Sequence, residues 1–250
     1  MKKYNLVVFG STFFSAGLSA SYKGSILVIE PKTKPGYEFI DSFHTGNIRE
    51  YSPITCEGKA FFEYLHKCNL TDNSYILNWT SYLAKVITQT SADYLLMTDI
   101  LNVRNEEGGY VITVFNSMGK SEIFAEKIID TRVHLYEKKT INFLVKGNVI
   151  CKAGENVGII AVYNDLYLAE VKLDRDDDYP QARKKAMEGF IYLKTLSEDI
   201  SLVAIADEMY KKSSIEKKEL YSGYIQCPSS FYDNGIEAYD MGAKTGGEIL

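Results

Sequence analysis

The sequence predicts an α/β fold, in which a parallel sheet with helices on its faces is joined to a separate antiparallel layer. Two observations carry most of this. A strand-helix-strand unit fills the first thirty residues, and strands separated by glycine turns follow from residue 93 onward. Parallel strands need a crossover helix and sit in sheets covered on both faces.

Residues 4–9 are a short apolar run rich in strand formers and stopped by Gly10, which reads as a buried strand. Residues 13–21 carry Ser15, Ala16, Gly17, Ser19, Ala20 and Ser21, small side chains that suit a helix lying close against a sheet. Gly24 then punctuates, and residues 25–29 rise as a second buried strand ending in Glu30. Residues 31–57 hold three of the five prolines, two glycines and little periodicity; loops of such length are usually functional. Helical spacing returns at residues 59–65 and 79–89. Strands are expected at 94–97, 100–104, 110–115 and 123–129, with turns at Gly108-Gly109 and Met118-Gly119. A second patch, at 141–149, 157–163 and 166–173, reads as the antiparallel layer, its last two strands joined by an Asn164-Asp165 turn. The acidic cluster at 174–178 precedes Pro180, the pattern of a solvated helix start. One more strand is expected at 200–205, and a closing helix begins near Asn234-Gly235. There is no internal repeat.

The formal charge of −5, from 28 basic and 33 acidic residues, supplies no positive field for gripping a phosphodiester backbone, so nucleic acid is not an expected partner. No apolar run reaches the roughly 18–20 residues of a membrane span. The N-terminus lacks the stages of a signal peptide, and a cytoplasmic protein with no membrane partner is the expectation. Cysteines at 56, 68, 151 and 227 include no pair two or four apart, and His44, His66 and His134 stand singly. That pattern argues against a zinc knuckle, a CxxC redox pair and a disulfide framework, and no metal site is expected.

Chemistry is expected where the first strand stops. A strand that ends in glycine and opens a helix presents free backbone N–H groups and a positive helix end, a place for phosphate. Glu30, twenty residues after Gly10, stands where a carboxylate accepts hydrogen bonds from ribose hydroxyls. The glycine code itself is altered: counted from Gly10, its second and third places fall on Thr12 and Ser15.

Further segments extend the pattern. Residues 7–20 and 26–30, Met97-Thr98-Asp99-Ile100, residues 125–132 and residues 228–238 together resemble FAD-dependent oxidoreductases with a glutathione-reductase-type nucleotide domain. The likeness is to the bacterial group in which a small substrate domain is inserted into the flavin domain, and residues 179–195 are similar to the helix of that insert. The resemblance implies a Rossmann-like FAD-binding domain with a β-meander, formed by residues 1–138 and 200–250, and a small inserted α+β substrate domain at 139–199. It implies FAD as cofactor, with Gly10, Ser11, Thr12, Phe14, Ser15, Glu30 and Pro31 around the phosphates and ribose and Ile100 against the adenine. Thr131 and Arg132 belong to the late strand, where Arg132 stands at or beside a customary glycine. Asn234, Gly235 and Ile236 open the last helix, whose N–H groups face the ribityl chain and the pyrimidine edge of the flavin in that family. The activity implied is transfer of a hydride or electron pair between a small organic substrate and bound flavin, with the substrate pocket where the two domains meet.

The flavin carries the redox chemistry in such enzymes, so no particular acid or base is demanded. His44, in the long loop, is the one candidate proton donor or acceptor, with a surface histidine as the alternative. Arg132 has three readings: a clamp on the pyrophosphate, a clamp on a substrate carboxylate, or a side chain filling space where flavin would lie. With Thr12 and Ser15 it motivates an alternative function, a binding or assembly protein on the same scaffold with flavin binding weakened or lost. A methyltransferase would explain the first β-α-β turn but not the late strand or the closing helix. No second fingerprint for a nicotinamide nucleotide is present.

Overall fold

The computed structural model describes residues 1–48, 51–71, 76–147, 157–163, 165–197 and 199–249. The opening unit forms as the pattern predicts: β1 (Lys2–Phe9), α1 (Phe13–Ser21) and β2 (Ile26–Ile29), with β1 and β2 parallel and Phe9 opposite Ile29. β3 (Asp93–Leu95) adds to the far side of β2, and β6 (Gly119–Asp130) lies parallel to β1 on its other side, with Phe9 opposite Asp130. The strand order therefore reverses at β1. Ligands of open α/β sheets bind outside the carboxyl ends of strands at such a point.

β4 (Asp99–Glu106), β5 (Gly109–Asn116) and β6 make the antiparallel meander. Its apolar side, Tyr110, Ile112, Val114 and Ile123, closes over Tyr4, Val7, Phe9, Leu27 and Ile29 on one face of the parallel sheet. The other face is covered by α1 and the closing helix α6 (Gly235–Glu248). These two helices approach backbone to backbone, because a Cβ at Gly17 would overlap the Tyr239 carbonyl and one at Gly242 the Phe14 carbonyl. The small residues of α1 thus serve helix–helix contact.

The long loop after β2 contains a single helical turn, α2 (Tyr37–Ile40), which the sequence did not announce. It starts from Gly36 at φ +75°, whose N–H donates to the Ser11 carbonyl at 2.7 Å. α3 (Cys56–Lys67) and α4 (Trp79–Thr88) follow. Asp240 of α6 holds the chain before α3, accepting from Tyr51 Oη at 2.6 Å and from the Ile54 and Thr55 amides at 2.8 and 2.9 Å.

The antiparallel layer comprises β7 (Tyr136–Gly147), β8 (Val157–Tyr163), β9 (Leu166–Lys172), β10 (Ile200–Ile205) and β11 (Tyr210–Ser213), in the order β10-β7-β9-β8 with β11 also on β7. β10 therefore joins this sheet, although the division at residue 200 assigned it to the nucleotide unit. The chain returns to the parallel sheet only with the hairpin of β12 (Lys218–Tyr221) and β13 (Tyr224–Gln226), β13 lying parallel to β6. Residues 148 and 149 of the expected strand, Asn164 of the expected turn and Cys151 lie outside the described residues. α5 (Tyr179–Leu196) packs on the second sheet, with Gly189 over Val171, Val157 and Phe143. Its acidic start is structural: Asp178 caps the helix with Gln181, while Asp174 and Asp177 each meet Lys185 at 2.6 Å. Among the described residues no helix is long and apolar enough to cross a membrane, and no cluster of His, Cys, Asp and Glu is arranged to hold a metal ion.

Candidate functional site

The carboxyl ends of β1, β2 and β6 bring Gly10, Glu30 and Asp130 to one edge of the parallel sheet, beside the N-terminus of α1. Gly10 takes φ +96°, and a side chain there would crowd Thr131 Oγ1 at 2.7 Å and the Arg132 stem at 3.0 Å. Only glycine is comfortable in that conformation.

The five amides that follow are all engaged by the chain's own side chains. Ser11 N–H donates to Glu30 Oε2 at 2.8 Å. Thr12 and Ser15 form a reciprocal capping box, Thr12 N–H to Ser15 Oγ at 2.8 Å and Ser15 N–H to Thr12 Oγ1 at 3.1 Å. Such a box satisfies orphan donors at a helix start without a ligand. Phe13 N–H donates to Glu38 Oε1 at 2.8 Å, and Phe14 N–H to Ser229 Oγ at 3.3 Å. Ser229 Oγ in turn donates to Glu38 Oε1 at 2.7 Å, tying α1, α2 and the segment before α6 together. Residues 10–15 are buried throughout.

Glu30 is 1% exposed. Its second oxygen accepts the Lys32 amide at 2.9 Å, so the carboxylate expected at a ribose is held by backbone donors. Burial pushes its pKa up, against the pull of the Lys32 and Ser11 amides and of the Lys32 and Arg132 charges. Glu38 is moved further, to about 7, by burial that the Phe13 amide and the Ser229 hydroxyl only partly offset. Among the described residues, Glu38 Oε2, Ser11 Oγ and Ser230 Oγ are shielded from solvent and have no hydrogen-bond partner.

Arg132 spends its fork on Asp130, Nε to Oδ1 at 2.9 Å and Nη2 to Oδ2 at 2.7 Å, with its guanidinium 5.2 Å from the centre of the Phe9 ring. His134 Nε2 reaches the same carboxylate at 2.9 Å. Burial alone would raise the Asp130 pKa, but the Arg132 and His134 hydrogen bonds outweigh it and hold it below the usual range. The Arg132 stem lies near Gly10 and its guanidinium is paired within the chain. Thr131 Oγ1 likewise faces inward, donating toward the Phe9 carbonyl at 2.9 Å and accepting from Thr12 Oγ1 at 2.9 Å.

The remaining candidates are dispersed. Phe14 stacks on Tyr232 at 5.9 Å, Pro31 is exposed beside Glu30, and Ile100, in β4, packs against the core between the meander and the parallel sheet. Asn234 caps α6 by accepting the Glu237 amide at 2.9 Å, Gly235 lies against the Phe13 ring, and Ile236 is fully buried. His44 is stacked flat on Tyr210, ring centres 3.6 Å apart, and burial together with the Lys138 charge lowers its pKa to about 3. It is therefore neutral near pH 7 and has no proton to give as an imidazolium. Among the described residues, grooves open elsewhere. One of 840 Å³ at the amino end of the parallel sheet includes Lys2, Tyr4 and Asp93; another of 400 Å³ lies among α1, α3, α4 and α6.

The adenosine diphosphate half of FAD does not fit these residues in the manner the resemblance implies. A diphosphate at α1 needs free amides and a glycine-lined approach. Here the Ser11 to Ser15 amides donate to Glu30, Ser15, Glu38, Ser229 and Thr12, so two carboxyl groups stand against the turn. Sequence reasoning missed Glu38 and Ser229. The Thr12-x-x-Ser15 spacing was a visible capping signal; nothing local to Glu38 or Ser229 marked a partner roughly 25 or 215 residues away.

No protein-family model matches the sequence, and no curated protein matches it. Solved structures do match in fold. The p-nitrophenol 4-monooxygenase PnpA from Pseudomonas putida DLL-E4 is 9% identical over 100% of this chain and 79% of its own, with a TM-score of 0.62. Glycine oxidase from Geobacillus kaustophilus is 11% identical over 98% and 93%, with a TM-score of 0.64. The myxobacterial chondrochloren halogenase CndH, described as a new variant of FAD-dependent halogenases, is 11% identical over 97% and 73%, with a TM-score of 0.58. The chain thus has the Rossmann-type α/β fold, with its additional antiparallel sheet, that these enzymes share.

Proposed function

We propose that this chain is a binding or assembly protein built on a flavoenzyme fold, and that it does not carry FAD at its first β-α turn. One observation carries the statement about FAD: five successive amides, Ser11 through Ser15, donate to the protein's own Glu30, Ser15, Glu38, Ser229 and Thr12 side chains. Inserting a diphosphate would break these bonds and leave the buried Glu30 and half-buried Glu38 carboxyl groups beside it, and each unsatisfied buried partner costs about 1–3 kcal/mol. Thr12 and Ser15, in place of glycines, are productive here as cap residues.

A second reading, an FAD-dependent oxidoreductase of the glutathione-reductase type acting on a small organic substrate, is favoured by the fold neighbours, which include an FAD-dependent halogenase. It requires the Glu38 and Ser229 contacts to give way to cofactor. Purified protein separates the two. Colourless protein that gains no flavin absorbance after incubation with FAD and desalting supports the binding role, whereas a yellow protein holding FAD in equimolar amount supports the enzyme.

A further inference from the structure

We infer that the outer face of α5 is a self-association surface, on which a second copy of this chain docks across a two-fold axis at Ile191. This surface is independent of whether FAD binds the first turn. α5 seats Ala182, Ala186, Gly189 and Leu193 on the second sheet, an i, i+4, i+7, i+11 row that defines its inner side. The opposite side carries Met187 and Ile191, 40% and 57% exposed, with Tyr192 exposed next to them. Between Ala186 and Leu193 the only charged residue is Glu188. A helix that is apolar all round is ordinarily covered all round, and α5 is covered on one side.

The charges around Ile191 fit a copy of the same helix. Residues three and four apart share a helix face, so Met187, Glu188, Lys194 and Thr195 surround Ile191. In an antiparallel neighbour related by a two-fold axis at Ile191, each residue before Ile191 faces the residue equally far after it in the other copy. Glu188 of each copy then meets Lys194 of the other, and Met187 meets Thr195. A parallel neighbour would set like charges together, Glu188 on Glu188 and Lys194 on Lys194. Within one chain both groups are lightly committed: Glu188 lies 3.9 Å from Lys184 with both exposed, and among the described residues Lys194 makes no ion pair. Complementary charge of this kind selects partner and register.

Other modes of docking suit this layer less. β8 and β10 are outer strands of the sheet beneath α5, and each is interrupted by a register shift, between Ile159 and Ala161 and between Leu202 and Ala204. Bulges blunt an edge against strand addition. An anionic lipid surface is opposed by Glu188 within the face and by the chain's formal charge of −5. The 18 residues of α5 span roughly 27 Å. One face of such a helix covers less than the about 800 Å² per partner of a standard interface, so the association is weak and depends on concentration.

Sedimentation equilibrium of the full chain tests this between about 5 and 500 µM, the range in which a small interface associates. The wild type is expected to rise from 28.2 kDa toward twice that mass with concentration. Ile191→Glu sets a carboxylate against its own copy on the axis and is expected to abolish the rise. Glu188→Lys alone and Lys194→Glu alone are each expected to weaken dimerisation at least about tenfold, because like charges then face each other. Both substitutions in one chain exchange the signs, keep the pairing and are expected to restore association. Each altered side chain is exposed, so the variants are expected to fold, which circular dichroism checks. A wild type that stays monomeric throughout, a dimer indifferent to Ile191→Glu, or a double variant as weak as the single ones overturns the inference. Co-sedimentation with phosphatidylglycerol vesicles that Ile191→Glu abolishes also overturns it, since the occupant is then a membrane.

Discussion

Above neutral pH the Glu38 carboxylate is ionised in a place where two hydrogen bonds do not replace the water it lost. Its folded-state pKa of about 7 lies above the ordinary 4.5, so its contribution to stability is fully present below pH 4.5 and is lost as pH rises through 7. Glu30, also raised, acts in the same direction. His44 opposes them, because its lowered pKa makes stability fall as acid protonates the unfolded chain below its ordinary 6.5. The wild-type profile therefore mixes signs, and a difference isolates Glu38. Relative to wild type, Glu38→Gln is expected to gain stability between pH 4.5 and 8, on the order of 2 kcal/mol once partial solvent screening is allowed for. Urea unfolding of both proteins at the two pH values checks this, and parallel curves would remove the buried charge from the account. At this scale Gly10, Glu30 and Arg132 were legible in the sequence as residues of a special place. What each one binds was not, since the partners of Glu30 are backbone amides and Arg132 turns to the Asp130 two positions before it.

The helices α1 and α6 meet with no side chain between them at Gly17 and Gly242. A methyl group at either place must push backbone away from backbone, and close-packed contacts of this kind give little. Gly242→Ala is expected to lower stability by about 1–3 kcal/mol and to loosen the Phe14 end of the site with it. Thermal melting reads the first effect, and hydrogen exchange at residues 13–15 reads the second; a variant as stable as wild type would show that the contact relaxes without cost. Elements with a strong period were legible: the β-α-β opening, the meander with its glycine turns, and the capped α5. Those missed were short and lacked a period. α2 is a four-residue turn whose register comes from Gly36 and Ser11, and the lysine- and tyrosine-rich strands owe their conformation to pairing, β11 with β7, β12 with β13 and β13 with β6. Neighbours distant in sequence decide such segments.

Across the whole molecule, two sheets share the chain, and the strand ends at the β1 reversal lie beside the contacts among α1, α2 and the segment before α6. The fold class followed from periodicity, because a parallel sheet and an antiparallel layer leave different apolar patterns. The arrangement at the first turn did not follow. Its state depends on which side chains return to it, and Glu38 and Ser229 arrive from segments that local patterning describes as loop. β10 and β11 extend the second sheet past residue 200 for the same reason, since both are recruited by β7. The protein thus has a Rossmann-type α/β fold and turns the donors of its first turn inward.

Titration of ¹⁵N-labelled protein with FAD, followed at the Ser11 to Ser15 amides, tests this most directly. The five resonances are expected to hold their positions throughout the titration. Saturable shifts at these five amides, with the Phe13 amide released from Glu38 as cofactor binds, would contradict it.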